Sequence, residues 1–253
     1  MKNWIKILIV FVFMSFFIAG KVFARADDPP NEKYVASYVK LFFNFDNISQ
    51  RGSSECGGVI IGKDLVLTAA HCFNDDWLNA EKRDLNVYYG KRYSRVFGWT
   101  AHLYSGKNLV RFVPAVDMAI FKVDRDMTSI KRDGEVAKLP RPCSKEGSGV
   151  LYPFEGIAYQ RMGDDGMTLP YTIYQTTTTP IERFGKIDLT NGYAQITPLT
   201  GNKGDSGSPI FSEDGILLGI LSRFSMSNKY SYFVSTCYYR NRIEAIKEKL
   251  HES

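Results

Sequence analysis

Histidine and cysteine are scarce in this chain of 253 residues, with three of the first and four of the second, and no two cysteines stand at the close C-x-x-C spacing of a zinc site. No metal site is therefore expected, and the pairs Asp75-Asp76 and Asp164-Asp165 lack the array of oxygen ligands that a calcium loop needs. A long Lys/Arg run is also missing. Of the 32 basic residues, Lys2, Lys6 and Lys21 fall within the first 24 positions, which hold no acid, leaving 29 basic against 27 acidic residues in the body of the chain. So even a balance excludes the concentrated basic face of a nucleic-acid binder. Only one long apolar run exists, Ile7 to Ala19. As a helix it would cover about 20 Å, short of the ~30 Å hydrocarbon core, so stable membrane insertion is not expected. Repeats are absent, and 44% hydrophobic with 23% charged residues is a globular composition, neither disordered nor multi-pass.

What is present begins with export. Two lysines, the apolar run and the small residues of Val22-Phe-Ala24 have the three-part layout of a secretory signal peptide over residues 1–24. The chain is then expected to be secreted, in a periplasmic or extracellular, disulfide-permissive compartment. There an even set of cysteines, Cys56, Cys72, Cys143 and Cys237, favours two disulfides, with three pairings open. Short β-branched and aromatic runs recur between Gly, Asn, Asp and Pro clusters, among them 35–45, 58–61, 65–68, 116–123, 171–178 and 216–221. That pattern reads as all-β, a sandwich or barrels. A charged, Pro- and Gly-containing stretch over 124–149 resembles a linker between two halves, 25–135 and 136–253. Ile243, Ile246 and Leu250 at helical spacing predict a short closing helix at about 238–250.

Three segments carry chemistry. In Leu67-Thr-Ala-Ala-His-Cys72 a histidine follows a strand and abuts a cysteine that could bridge back to Cys56. In Gly204-Asp-Ser-Gly-Ser-Pro209 a serine sits in a turn built from glycines, which allow backbone conformations closed to other residues and let N–H groups converge on an anion. A serine hydroxyl becomes a nucleophile only with a base in reach, commonly an imidazole held in one tautomer by a carboxylate. The third segment, Val116-Asp-Met-Ala-Ile-Phe-Lys-Val123, offers that carboxylate at the head of a strand entering a core, where a charge needs a partner.

In the order His, Asp, Ser these segments resemble the chymotrypsin/trypsin family of serine endopeptidases, as a secreted, bacterial-type member. The similarity runs with gaps from Tyr38-Val-Lys-Leu41 to the terminal helix. It implies two six-stranded antiparallel β-barrels with a short C-terminal α-helix, His71 and Asp117 in the first half and Ser206 in the second. It implies Ser206 as nucleophile, His71 as general base and then acid, Asp117 as the orienting carboxylate, and Gly204 and Ser206 as oxyanion-hole donors. Ser222 matches a serine that hydrogen-bonds the aspartate. Cys56–Cys72 and Cys143–Cys237 match family disulfides. Neither cofactor nor metal is implied; the partner is a protein or peptide substrate, and the protein is expected to be a monomer. Thr200 stands where trypsin-like enzymes carry an aspartate, so cleavage after Arg or Lys is not expected. With Lys203, Arg223 and Phe224 also at the pocket, a small uncharged or an acidic residue before the cut is the expectation. The alternative is a catalytically silent or latent binding protein on the same fold.

Overall fold

The structure is a computed structural model that describes residues 36–46, 51–89, 99–103, 110–129, 134–142, 157–162, 172–177, 192–196, 204–211, 215–225 and 230–252. The expected signal segment, Cys143, Thr200 and Lys203 lie outside these residues.

Seven strands make the first sheet. They are β1 (Tyr38–Asp46), β2 (Arg51–Gly62), β3 (Leu65–Thr68), β4 (Lys82–Tyr89), β5 (Trp99–His102), β6 (Val110–Phe112) and β7 (Ala119–Lys122), in the spatial order β5-β4-β1-β2-β3-β7-β6. Every pairing is antiparallel. β5 and β6 are consecutive along the chain, one pairing with β4 and the other with β7, and a Leu103–Val123 bridge joins the end of β5 to the end of β7. The sheet therefore curls back on itself as a barrel, with seven named strands where six were expected.

The second sheet has the order β10-β13-β12-β11-β8-β9, built from β8 (Ile157–Met162), β9 (Thr172–Thr177), β10 (Tyr193–Ile196), β11 (Pro209–Phe211), β12 (Leu217–Ser225) and β13 (Tyr230–Ser235). Six antiparallel strands match the expectation for this half. Two helices complete the described residues, α1 (Asp75–Leu78) and α2 (Arg240–His251), the latter within two residues of its predicted start.

Strand alternation explains how the halves join. A strand sends successive side chains to opposite faces. Val66, Ile60, Ala119 and Phe121 point into the first barrel with Val39, Leu41 and Phe43. Their neighbours Leu65, Leu67, Val59, Ile61 and Ile120 point the other way, onto Phe211, Leu217, Ile220 and Val234 of the second sheet and Ile243 and Leu250 of α2. β3 is buried along its whole length because both its faces are covered, and its sequence Leu-Val-Leu-Thr is apolar on both. Truncating one such side chain, Leu67→Ala for example, costs about 2–5 kcal/mol. The segment predicted as a linker runs along this seam: Ala137 N–H donates to Ile60 O at 2.8 Å, and Lys138 forms a parallel bridge with Ile216.

Candidate active site

His71 is placed by the abrupt end of β3. After Thr68 the chain tightens into a 3₁₀ turn, Ala70–Cys72, and the residues on either side of the imidazole are fixed. Cys72 is bonded to Cys56 of β2, with Cα atoms 6.3 Å apart, closing a loop of 16 residues worth roughly 3 kcal/mol of chain entropy. Phe73 drops into a cluster of edge-to-face rings with Phe43, Trp77 and Phe121, at centroid distances of 5.1, 5.5 and 5.6 Å. Just beyond, Asn74 caps α1 by accepting the Trp77 N–H at 2.8 Å. With its backbone held on both sides, the His71 side chain remains 49% exposed.

Asp117 sits at the neighbouring strand end. The pairing of Thr68 with Ala119 brings the last residue of β3 opposite the first of β7, so the residues flanking those strands meet. Between β6 and β7 the chain makes a tight turn, closed by Val113 N–H to Met118 O at 2.9 Å. The turn contains Ala115 at φ 63°, a left-handed conformation costing an alanine about 1 kcal/mol. Arg242 of α2 donates to Pro114 O at 3.0 Å and braces it from outside.

Three bonds hold the carboxylate. Oδ1 accepts the His71 backbone N–H at 2.8 Å, while Oδ2 meets His71 Nδ1 at 2.7 Å and accepts the Ser222 hydroxyl at 2.5 Å. Burial by itself pushes the Asp117 carboxyl up, but the bonds from His71 and Ser222 and the nearby imidazole charge outweigh it, so Asp117 is held below the usual carboxylate range. An ionised acceptor at Nδ1 fixes the proton on that nitrogen and leaves Nε2 as the free base.

Ser206 arrives from the second half by a different route. Its turn, 204–208, precedes β11 and is made by backbone conformation: Gly204 has φ 97° and Gly207 φ 81°. Backbone bonds hold it from two directions. Gly207 N–H donates to Leu221 O of β12 at 2.6 Å, and Gly57 N–H of β2 donates to Ser206 O at 2.7 Å. The same Ser206 carbonyl oxygen lies 3.9 Å from Cys72 Sγ, next to His71. Contact between the halves is too close for side chains here. A Cβ on Gly207 would stand 2.2 Å from Thr68 Oγ1 and 2.3 Å from Gly57 O, and one on Gly57 would stand 2.2 Å from Ser208 Oγ. The Ser206 hydroxyl makes no hydrogen bond to His71 among the described residues; such contacts are often long before substrate binds.

Of the residues expected at the site, the structure brings His71, Asp117 and Ser222 into one hydrogen-bonded group and sets Gly204 and Ser206 in the adjoining turn. Arg223 is exposed, its guanidinium 4.9 Å over the ring of Tyr232, its cross-strand partner. Phe224 lies in β12, with its side chain outside the described set. Cys237 is disulfide-bonded, and its expected pairing with Cys143 falls outside the described residues.

Four residues that matter were not singled out from sequence: Lys40, Glu55, Thr68 and Arg242. Thr68 Oγ1 donates to Gly57 O at 2.7 Å, tying the two strands that receive the serine turn. Lys40 is 1% exposed, its Nζ 3.3 Å from Glu55 Oε2 and 3.0 Å from Gly204 O. A lysine between the apolar residues Tyr38-Val39 and Leu41-Phe-Phe43 was the available signal, but only the pairing of Phe42 with Glu55 shows that an acid stands diagonally across from it.

The Trypsin family model matches residues 42–243. Among curated proteins, the chain is 25% identical to trypsin epsilon of Drosophila erecta over 185 residues, covering 70% of each chain. It is 27% identical to granzyme H of Homo sapiens over 191 residues, 69% of this chain and 72% of that one. Among solved structures it is similar to a scabies mite inactivated protease paralogue, S-I1, with a TM-score of 0.59 at 19% identity, covering 88% of this chain and 98% of the other. Human heparin binding protein is similar at a TM-score of 0.58 and 16% identity, covering 86% and 94%.

Proposed function

This chain belongs to the trypsin family, and from that premise we propose that it is an active serine endopeptidase using Ser206, His71 and Asp117. The observation that carries the reading is the threefold hydrogen bonding of the Asp117 carboxylate. It grips His71 twice and Ser222 once, beside the turn that bears the serine. Such a carboxylate orients the imidazole and stabilises the imidazolium that forms in the reaction. His71 Nε2 takes the Ser206 proton as Oγ attacks the scissile carbonyl. The N–H groups of Gly204 and Ser206 receive the developing oxyanion, where one such donor is worth about 3–4 kcal/mol. His71 then returns the proton to the leaving amine, and water, deprotonated by the same base, releases the acyl group.

The substrate is a protein or peptide, with a small uncharged or acidic residue before the cut. Thr200 in place of an acid supports rejection of Arg and Lys. Secretion after removal of residues 1–24, the halves 25–135 and 136–253 as folding units, and the Cys143–Cys237 bridge are parts of the same proposal.

A second reading, a protease-fold binding protein without turnover, draws on the inactivated status in the name of the scabies mite neighbour and on Phe224 in the strand beside the site. Intact mass before and after a fluorophosphonate probe separates the two. A single adduct, lost in Ser206→Ala and in His71→Ala, is the expected result. Folded wild-type protein that takes up no probe would favour the binding reading.

A further inference from the structure

Lys40 occupies an unusual place for a lysine. It lies on the face of β1 shared with Tyr38 and Phe42, turned toward the second half, and its side chain is 1% exposed. Charged groups are almost never buried this completely without partners, since desolvation outweighs what packing returns. Its partners include Glu55 Oε2 at 3.3 Å, the Phe42 ring with its centroid 6.0 Å away, and the carbonyl oxygen of Gly204 at 3.0 Å. The last bond joins positions 164 apart, from the first sheet to the serine turn.

The turn is pinned unevenly. Its later residues are held by backbone bonds, Gly57 N–H to Ser206 O, Gly207 N–H to Leu221 O and Ser208 N–H to Asp205 O, at 2.6–3.0 Å. At its head, Gly204 holds φ 97°, one of many conformations open to glycine, and Asp205 after it is fully buried. A Cβ on Gly204 would stand 3.4 Å from Lys40 Nζ and 3.7 Å from Glu55 Oε2, so this backbone rests directly on the ion pair. A charge-assisted hydrogen bond is roughly twice as strong as a neutral one, which suits Lys40 to hold the carbonyl of a glycine with so many conformations open to it.

We propose that Lys40 is a positioning residue: an internal cation that fixes the Gly204–Asp205 peptide and so aims the oxyanion-binding N–H of Gly204. This rests on the reading of Ser206 as nucleophile. Loss of the cation frees the head of the turn but leaves Ser206 tethered by its own bonds, so oxyanion binding falls while substrate binding persists.

The test compares wild type, Lys40→Met and the double variant Lys40→Met/Glu55→Gln. The double variant removes both charges together and avoids leaving an uncompensated buried acid. Two readouts are taken on each folded protein: the rate of fluorophosphonate labelling with kcat and KM on a cleaved peptide, and amide hydrogen exchange in the 204–208 segment. The expected result is labelling and kcat slower by about 10²-fold with KM little changed, together with faster exchange confined to that segment. Wild-type labelling rates in the folded double variant, or unchanged exchange at 204–208, would overturn the proposal. If wild type takes no label, the protease reading fails separately, and exchange alone decides whether Lys40 anchors the turn.

Discussion

The two halves of this molecule deliver the residues of the proposed site by opposite means. The first presents His71 and Asp117 as side chains on adjacent strand ends, joined by direct bonds of 2.7 and 2.8 Å. The second presents Ser206 on a backbone arch of left-handed glycines seated between β2, β3 and β12. A site built from side-chain bonds fails atom by atom when a partner is removed. One built from backbone conformation fails when atoms are added. That difference lets substitutions separate the two regions.

The largest expected effect abolishes the distinction. Ser206→Ala or His71→Ala lowers kcat by at least about four decades, and the double variant is no worse than either single one, because the groups act as a unit. A steady-state assay on the three proteins checks this, and additive losses would count against a shared mechanism.

Next comes Gly207→Ala. The added methyl must enter space already held by Thr68 Oγ1 and Gly57 O and also tolerate φ 81°. Crowding and backbone strain together are expected to destabilise by roughly 3–5 kcal/mol, measured as the shift in a denaturant midpoint. Ser222→Ala, the side-chain counterpart, removes one hydrogen bond to a charged group. Its expected cost is about 1.5–3 kcal/mol of Asp117 stabilisation and about a tenfold loss of kcat/KM, with the fold kept. A Ser222→Ala protein as damaged as Gly207→Ala would break the contrast between the halves.

The smallest effect is a pH dependence carried by Asp117. Asp117 titrates lower in the folded protein than in the unfolded chain, so the unfolded state binds the proton more readily. Its stabilisation is fully present above the unfolded value of about 3.9 and is lost as pH falls through the lower folded value. Denaturation of wild type and Asp117→Asn from neutrality down to acid should show the gap between them narrowing only in that acidic window. A constant gap would mean that the carboxylate charge contributes nothing to folding.

How much of this could be read from the residues follows the same division. Motifs carried by contiguous side chains were legible: Ala69-Ala-His-Cys72, Val116-Asp-Met118 and Gly204-Asp-Ser-Gly-Ser208 named the group that comes together, and Ser222 was found through the family resemblance. So were the strand-rich halves, because alternation and turn residues are local signals. Lys40 was not legible, because its burial depends on which face of β1 meets the second half and on Glu55 lying across a register that no local pattern specifies. The strained Ala115 escaped for a related reason. Alanine carries no preference for φ 63°, and the bracing Arg242 is distant in the chain. β5 and β6 also escaped, since each is a short pairing of four residues or fewer with a different partner and neither carries an alternating pattern long enough to read.

The Lys122 ammonium of β7 donates to the Leu250 carbonyl at 3.1 Å, a bond between positions 128 apart. A polypeptide emerges from its start, so the strand that follows Asp117 is made long before the helix turn that will accept this bond. Arg242, which braces the aspartate's own turn, comes equally late. The turn and strand that flank Asp117 therefore gain these two supports only after the helix that supplies them has been made. Assembly order thus acts as a delay, keeping the proposed site incomplete until that helix has been synthesised.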